Sequence, residues 1–171
     1  MHYRSNTQKN VTIREMELED LPSVYALGEA VFTADKWPSL YRTWDEYEPV
    51  GLFNSDGEFC FVADADGTLA GFALGSLIDK RKSAWSYGYL TWLAVDPTMK
   101  RSGIATLLME EITEAFIRAG ARMMIVDTDA ENDVAISFFR RHDFRHEDRH
   151  VYLSKNLTSH PGYQRLRRNK S

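Results

Sequence analysis

The segment from Tyr89 to Leu108 constrains the fold of this chain more than any other. A strand-like run ends at Val95 and is followed by Asp96-Pro97 and a short basic turn. A strongly amphipathic helix then begins at Gly103. Backbone N–H groups at a helix start lack intrahelical partners and lie at the positive end of the helix dipole. Small turn residues let a phosphate approach that backbone closely. The segment therefore predicts a pyrophosphate-binding turn between a strand and a helix.

The spacing of this turn excludes two well-known phosphate-binding motifs. It matches neither the G-x-x-x-x-G-K sequence of nucleotide hydrolases nor the G-x-G-x-x-G sequence of dinucleotide-binding folds. Lys100 and Arg101 add two side-chain cations next to the glycine. The alternative at this point is an ordinary strand–turn–helix with a basic pair on its surface.

Two motifs together resemble the GNAT acetyltransferase family. Lys100–Ala105 is similar to its acetyl-CoA loop, in which Arg or Gln is followed by two residues, Gly, one residue, and Gly or Ala. Here Lys100 stands where Arg or Gln is usual, which keeps the charge but loses the guanidinium fork. Asn132–Phe144 resembles the family's later segment, at the expected distance downstream. By element order the resemblance extends over about Val11 to Leu157, and it lies somewhat towards the branch that acetylates protein N-termini.

The resemblance implies an α+β GNAT fold. We expect a central, mixed and mostly antiparallel sheet of six or seven strands, splayed between its two parallel central strands, with about four helices. The expected boundaries are a flexible N-terminus at 1–10, a single domain at 11–157 and a disordered basic tail at 158–171. The pattern further predicts a strand at Arg122–Thr128 buried on both faces, a last strand or tight pair between Phe144 and Leu153, and Asp20 as a helix N-cap.

The resemblance also implies acetyl-CoA as cofactor. The residues that correspond to the family's cofactor contacts are Leu93, Ala94, Val95, Lys100, Arg101, Ser102, Gly103, Ile104, Ala105, Thr106, Asn132, Phe138 and Phe139. For Asn132 the alternative is a plain helix N-cap, and the same side-chain oxygen can serve both roles.

The catalytic positions depart from the family pattern. Phe139 stands where many members have a Tyr that protonates the leaving sulfur, so it offers an aromatic wall and no acid. Tyr89 stands where many members place a Glu; in the branch that acts on protein N-termini, a Tyr there works with a His at the position of Asp127. We expect Tyr89 and Asp127 to withdraw the proton of the amine, directly or through water. The alternatives are sheet packing for Tyr89 and a solvated strand-end acid for Asp127.

A segment that mixes aromatic and acidic residues corresponds to the family's variable substrate-binding region. Its candidates for binding a cationic amine are Trp37, Tyr41, Trp44 and Glu48. A short packed helix with a wet acidic face explains the same composition equally well. The aromatic residues favour a peptide N-terminus as substrate, whereas the net charge of −4 favours a small cationic amine.

Composition narrows the remaining possibilities. The net charge of −4 argues against general nucleic-acid binding, and no apolar run reaches membrane-spanning length. The single cysteine, Cys60, and the lack of a signal-like N-terminus favour a cytoplasmic protein. His142, His146 and His150 do not have the spacing of a metal site, so we expect no metal.

We therefore expect an N-acetyltransferase, monomeric or homodimeric, that moves acetyl from acetyl-CoA to a primary amine by direct attack in a ternary complex. The amine is a peptide or protein N-terminus or a small molecule. The alternative is a non-catalytic CoA-binding regulatory module.

Overall fold

The computed structural model describes residues 10–33, 43–79, 85–99 and 102–168. The chain forms two compact units that divide between Asp127 and Thr128. The first unit carries the sheet and three helices, and the second carries two helices.

The first unit is built around a mixed five-stranded sheet in the order β1-β2-β3-β4-β5. Its strands are β1 (Val11–Glu15), β2 (Cys60–Ala65), β3 (Thr68–Asp79), β4 (Ser86–Val95) and β5 (Met123–Val126). The first four strands pair antiparallel, and β5 pairs parallel to β4 after a crossover through a helix. The α+β class and the parallel pair of strands agree with the prediction.

Five α-helices lie in the described residues. They are α1 (Leu21–Val31), α2 (Tyr47–Asp56), α3 (Ile104–Arg118), α4 (Asp133–Arg141) and α5 (Pro161–Arg168). The described residues thus contain five α-helices where about four were predicted. They contain five strands where six or seven were predicted.

Helices cover both faces of the sheet. On the face that we call the α1 face, one core cluster joins the sheet to α1 and α2; its buried members are Met16, Val24, Trp44, Cys60, Val62, Phe72, Leu74, Trp92 and Ala94. On the opposite face, the α3 face, a Cβ placed on Gly75 would lie 2.8 Å from the Phe116 ring. The α3 helix therefore packs directly against the sheet backbone at this point.

A β-bulge in β4 changes which residues face each side. Leu74 of β3 is opposite Trp92, but the next residue, Gly75, is opposite Leu90, so Thr91 is the extra residue. Directly opposed residues share a face, which places Leu90 on the α3 face with Gly75 and Trp92 on the α1 face. By alternation, Tyr89 lies on the α1 face. Tyr89 and Trp92 therefore face the same side although three positions separate them.

The predicted burial of β5 on both faces is wrong. Met123 and Ile125 are 44% and 36% exposed, and the strand alternates between exposed and half-buried positions. They are opposite Tyr87 and Tyr89 and so share the α1 face with them. The apolar run belongs to the last strand of the described sheet, and this part of the face is not closed off by α1 or α2.

The strand predicted between Phe144 and Leu153 does not form, and this described segment has no regular secondary structure. Its charged side chains pair locally instead: Arg140 binds Glu147 through two hydrogen bonds of 2.6 and 3.0 Å. These exposed pairs raise the pKa of Arg140 and lower that of Glu147. A run this rich in charge has no continuous apolar face to bury.

Two further sequence expectations differ from the structure. Asp20 does not cap α1 with its side chain, because Arg14 donates to both of its carboxylate oxygens, at 2.7 and 2.9 Å. The basic tail, expected to be disordered, is helical over Pro161–Arg168. The N–H of Gly162 donates to Nδ1 of His160 at 3.1 Å and so engages one of the backbone donors at the start of that helix.

Candidate active site

β4 extends beyond the end of β5, and we call the space beside this unmatched part of β4 the gap. The β4–β5 ladder covers only four pairs, from Tyr87 opposite Met123 to Leu90 opposite Val126. β4 continues to Val95 while still paired with β3. The parallel pairing therefore stops halfway along β4, and from Thr91 to Val95 the strand has only β3 as a neighbour among the described strands.

The hydrogen-bond register directs part of the β4 backbone into this gap. Asp96 N–H donates to the Ala70 carbonyl at 2.8 Å, which fixes which pairs of the antiparallel ladder are hydrogen-bonded. Because bonded and non-bonded pairs alternate, the amides and carbonyls of Leu93 and Val95 point away from β3. Those two residues match the predicted cofactor contacts. Ala94 does not, because its backbone faces β3 and its side chain is buried in the core cluster.

The turn after β4 is built by its own side chains. One carboxylate oxygen of Asp96 accepts from the backbone N–H and the hydroxyl of Thr98, at 2.8 and 2.7 Å. The hydroxyl of Ser102 donates to the Met99 carbonyl at 2.6 Å. Lys100 and Arg101, both predicted cofactor residues, lie outside the described residues.

Gly103 sets the start of α3. Its φ is +82°, a left-handed conformation that favours glycine, and a Cβ there would meet no atom within 4 Å. The first backbone bond of the helix runs from Leu107 N–H to the Gly103 carbonyl, at 3.1 Å. The amides of Ile104 and Ala105 therefore have no acceptor within the helix. Because the space at Gly103 is open, an anion can approach these amides. The Ile104 side chain itself is buried and anchors the turn to the sheet.

Tyr89 and Asp127 meet at the point where the two strands separate. The Tyr89 hydroxyl donates to a carboxylate oxygen of Asp127 at 2.5 Å, and both side chains are partly buried. Asp127 follows directly after β5, on the α1 face. The structure thus brings together the two residues that the sequence predicts as the catalytic pair.

The predicted role of Trp44 in substrate binding is not supported. Its indole is 9% exposed, donates to the Tyr25 carbonyl at 3.0 Å and stacks on Phe72 with ring centroids 5.4 Å apart. Gly28 allows this position, because a Cβ there would overlap the indole. Trp44 is a core residue, and Trp37 and Tyr41 lie outside the described residues.

Glu48, the remaining predicted substrate residue, reaches towards the gap from the first turn of α2. Its Oε2 accepts a hydrogen bond from the indole N–H of Trp92 at 2.8 Å. Sequence reasoning missed Trp92, because no local pattern connects residues 44 positions apart. An aromatic donor next to a bulge has no sequence signal of its own.

The α1–α2 surface near Glu48 carries negative potential. The Tyr25 hydroxyl donates to Glu29 at 2.7 Å, and this bond is the main reason that its pKa is raised to about 12. The charges of Glu46 and Asp45 raise that pKa further. The first turn of α2 and the adjoining part of α1 therefore form an acidic surface.

The second unit contains the other predicted cofactor residues. Asn132 caps α4: its Oδ1 accepts from Ala135 N–H at 3.2 Å, and its Nδ2 donates to the Thr128 hydroxyl at 3.1 Å. Phe139 is buried between Phe138 and Phe144, with both ring-centroid distances 5.5 Å. Both polar ends of Asn132 are used within this unit, as the capping interpretation requires.

Clustered metal ligands and membrane-spanning helices are both absent from the described part of the chain. No three His, Cys, Asp or Glu side chains there are grouped so as to hold a metal ion. None of its helices combines the length and the apolar character needed to cross a membrane.

The fold is thus of the α+β class, with two parallel strands, β4 and β5, that are connected by a glycine-containing turn and α3. The Acetyltransferase (GNAT) family matches residues 22–144 of the sequence. The chain belongs to the GNAT acetyltransferase family. A protein of Yersinia pestis (strain Pestoides F) named acetyltransferase is 26% identical over 85% of this chain and 94% of its own length.

Solved structures share the fold. An aminoglycoside acetyltransferase from an uncultured soil metagenomic sample, crystallised with sisomicin, superposes with a TM-score of 0.67 at 24% identity, over 86% of this chain and 96% of that one. The aminoglycoside N-acetyltransferase AAC(6')-Iy in complex with CoA gives 0.68 at 22%, over the same shares. Ard1 from Thermoplasma volcanium gives 0.65 at 21%, over 90% of each chain.

Proposed function

We propose that this protein is an N-acetyltransferase that transfers acetyl from acetyl-CoA to a primary amine by direct attack in a ternary complex. The observation that carries the proposal is the gap between β4 and β5, with the Tyr89–Asp127 pair at its vertex. An amine that enters the gap meets a proton acceptor there. The same gap exposes the backbone of Leu93 and Val95 to an extended ligand.

The described residues fit acetyl-CoA. When bound, it supplies the acetyl group as an activated thioester. Leu93 and Val95 would hold its pantetheine arm through the backbone groups that point away from β3. The amides of Ile104 and Ala105 would bind the pyrophosphate, and Gly103 leaves open space for its approach. Lys100 and Arg101 would add positive charge beside the pyrophosphate.

Tyr89 and Asp127 would manage the proton of the amine. A primary amine is an ammonium ion at neutral pH and must lose a proton before its nitrogen can form a bond to the acetyl carbon. Asp127 attracts the ammonium, and the Tyr89–Asp127 hydrogen bond gives the proton a path towards the carboxylate or a water beyond it.

No residue of the described site is proposed as an acid for the leaving sulfur. Phe139, which stands where many family members have a Tyr, has no proton to donate. An ordinary thiol with a pKa of about 8.5 leaves adequately as the thiolate.

The relatives support an amine substrate without identifying it. Sisomicin is bound by the soil-sample aminoglycoside acetyltransferase, and AAC(6')-Iy was also solved with a CoA-linked neamine analogue. A cationic amine of this kind suits the acidic surface around Glu48. A peptide N-terminus is the other candidate, in keeping with the likeness to Ard1.

The proposal is tested by mixing the protein with acetyl-CoA and a panel of amines and by following free CoA thiol. Amine-dependent thiol release with an acetylated product by mass spectrometry supports it. Tight binding of CoA without turnover of any amine, including aminoglycosides, diamines and peptides, would favour the non-catalytic regulatory module instead.

A further inference from the structure

The carboxylate of Glu48 is fixed at one oxygen and open at the other. Its Oε2 accepts from Trp92 Nε1, whereas its Oε1 has no hydrogen bond or ion pair with any described residue. No buried side-chain oxygen in the described part of the chain lacks a partner, so this Oε1 is reached by solvent. Glu48 therefore presents an oriented, negatively charged acceptor that the protein itself does not use.

Glu48 and Asp127 are both tied to aromatic donors of the same strand. Trp92 holds Glu48, and Tyr89 donates to Asp127. The bulge at Thr91 puts Tyr89 and Trp92 on the α1 face, three positions apart, which is at most about 10 Å along a strand. The two carboxylates are thus each held by a donor on the same face of β4.

The surroundings of Glu48 reinforce a preference for positive charge. Asp45 lies in the turn before α2, and its charge and that of Glu46 raise the pKa of Tyr25. Both acidic residues directly precede α2, whose first turn carries Glu48. A single ammonium at Asp127 would leave this second acceptor unused.

We propose that Glu48 binds a second ammonium group of the substrate, and that the substrate is a diamine or oligoamine with two cationic nitrogens. The inference rests on the proposed function, because it takes the nitrogen at Tyr89–Asp127 to be the one acetylated. Trp92 is the positioning residue, since it orients Glu48 without touching the substrate. Monoamines and peptides without a second cation gain nothing from Glu48.

The test compares linear α,ω-diamines of increasing length with the monoamine of the same length. The wild type should prefer the diamine in kcat/KM, and Glu48→Gln should lower that preference about tenfold, the scale of one charge-assisted hydrogen bond. The amide oxygen of the variant can still accept from Trp92, so the fold is kept. Glu58→Gln is the matched control, because it removes the same charge from an exposed side chain beyond the other end of α2.

Calorimetric titration of the diamine into the CoA-bound protein separates the two proposals. Weaker diamine binding in Glu48→Gln than in Glu58→Gln supports the second-ammonium site, even if no amine is turned over and the proposed function fails. The site is overturned if turnover occurs without any diamine preference. It is equally overturned if Glu48→Gln and Glu58→Gln bind the diamine with the same affinity.

Discussion

The hydroxyl of Tyr89 donates to Asp127 at 2.5 Å, one residue beyond the last pair of the β4–β5 ladder. If this pair moves the proton of the amine, Tyr89→Phe or Asp127→Asn should lower kcat by about a hundredfold while CoA affinity holds. Steady-state kinetics with the true substrate, together with calorimetry, checks this. Tyr87→Phe on the same face is the control. Wild-type kcat in both variants across the neutral and mildly alkaline range would place the base elsewhere.

Gly103 offers a test of the cofactor turn. Gly103→Glu puts a side chain and a negative charge into the open space where the pyrophosphate should bind, so CoA binding should be lost. Because φ is +82°, any side chain there also adds strain of roughly 1–2 kcal/mol. Gly103→Ala carries that strain without the charge. Equal CoA affinities of the two variants by calorimetry would refute the assignment.

Cys60 should be inert towards thiol reagents in the native protein. Burial raises the pKa of its thiol to about 12, so almost none of it is thiolate at neutral pH. A chromogenic disulfide reagent should find no fast-reacting protein thiol before unfolding and one thiol after unfolding in urea. This protection also means that thiol released in the acetyl-transfer assay comes from CoA. A fast reaction of the native protein would contradict the burial of Cys60.

The Arg14–Asp20 pair should make stability depend on pH. Arg14 holds the pKa of Asp20 below its ordinary value through hydrogen bonds. A depressed pKa stabilises the folded state above the unfolded pKa of about 3.9, and this contribution is lost as the pH falls through the folded pKa. Asp20→Asn should cost about 1 kcal/mol of unfolding free energy at pH 7 and progressively less in acid.

Urea unfolding at neutral and acid pH measures this effect. Glu19→Gln, an exposed neighbour, is the control and should change little at either pH. A pH-independent loss in Asp20→Asn would mean that packing, and not the ion pair, accounts for the difference.

The left-handed backbone conformation of Asp143 should lower the free energy of unfolding relative to a glycine at this position. Asp143 follows α4 with φ of +66°, a left-handed conformation that favours glycine. Asp143→Gly should be more stable than Asp143→Ala by about 1 kcal/mol, because only the alanine variant keeps a Cβ in the left-handed region. Both variants lose the exposed bond to Arg145, so that loss cancels. Equal midpoints in urea unfolding would contradict the strain.

The proximity of Tyr89 and Asp127 could be predicted from the sequence because it depends on strand ends. Tyr89 lies on the strand before the turn and Asp127 ends the next parallel strand, so a βαβ crossover brings them together. The turn at Gly103 and the start of α3 could also be predicted, since a glycine before a helical pattern is a local signal. In both cases the information lies within one supersecondary unit.

The remaining features depend on contacts that no local pattern records. The sequence predicts the same substrate-binding role for Trp44 and Glu48, which are four residues apart. In the structure Trp44 lies in the core, whereas Glu48 accepts a hydrogen bond from Trp92 of β4. The apolar run of β5 predicted burial because its composition is that of a central strand. Only the sheet order shows that β5 is the last strand described, with Met123 and Ile125 partly exposed.

The bulge at Thr91 has a consequence for comparing this chain with others. Before it, odd-numbered residues such as Tyr89 face the α1 side, and after it the even-numbered Trp92 does. A gapless alignment of β4 with a strand that lacks the bulge would therefore assign one half of β4 to the wrong face of the sheet. Deleting Thr91 would remove the bulge and still leave Leu90 opposite Gly75 and Trp92 opposite Leu74, so both side chains would keep their faces. A single-residue deletion elsewhere in β4 would instead exchange core and surface along part of the strand. We therefore expect deletions in β4 among functional relatives to fall at the bulge.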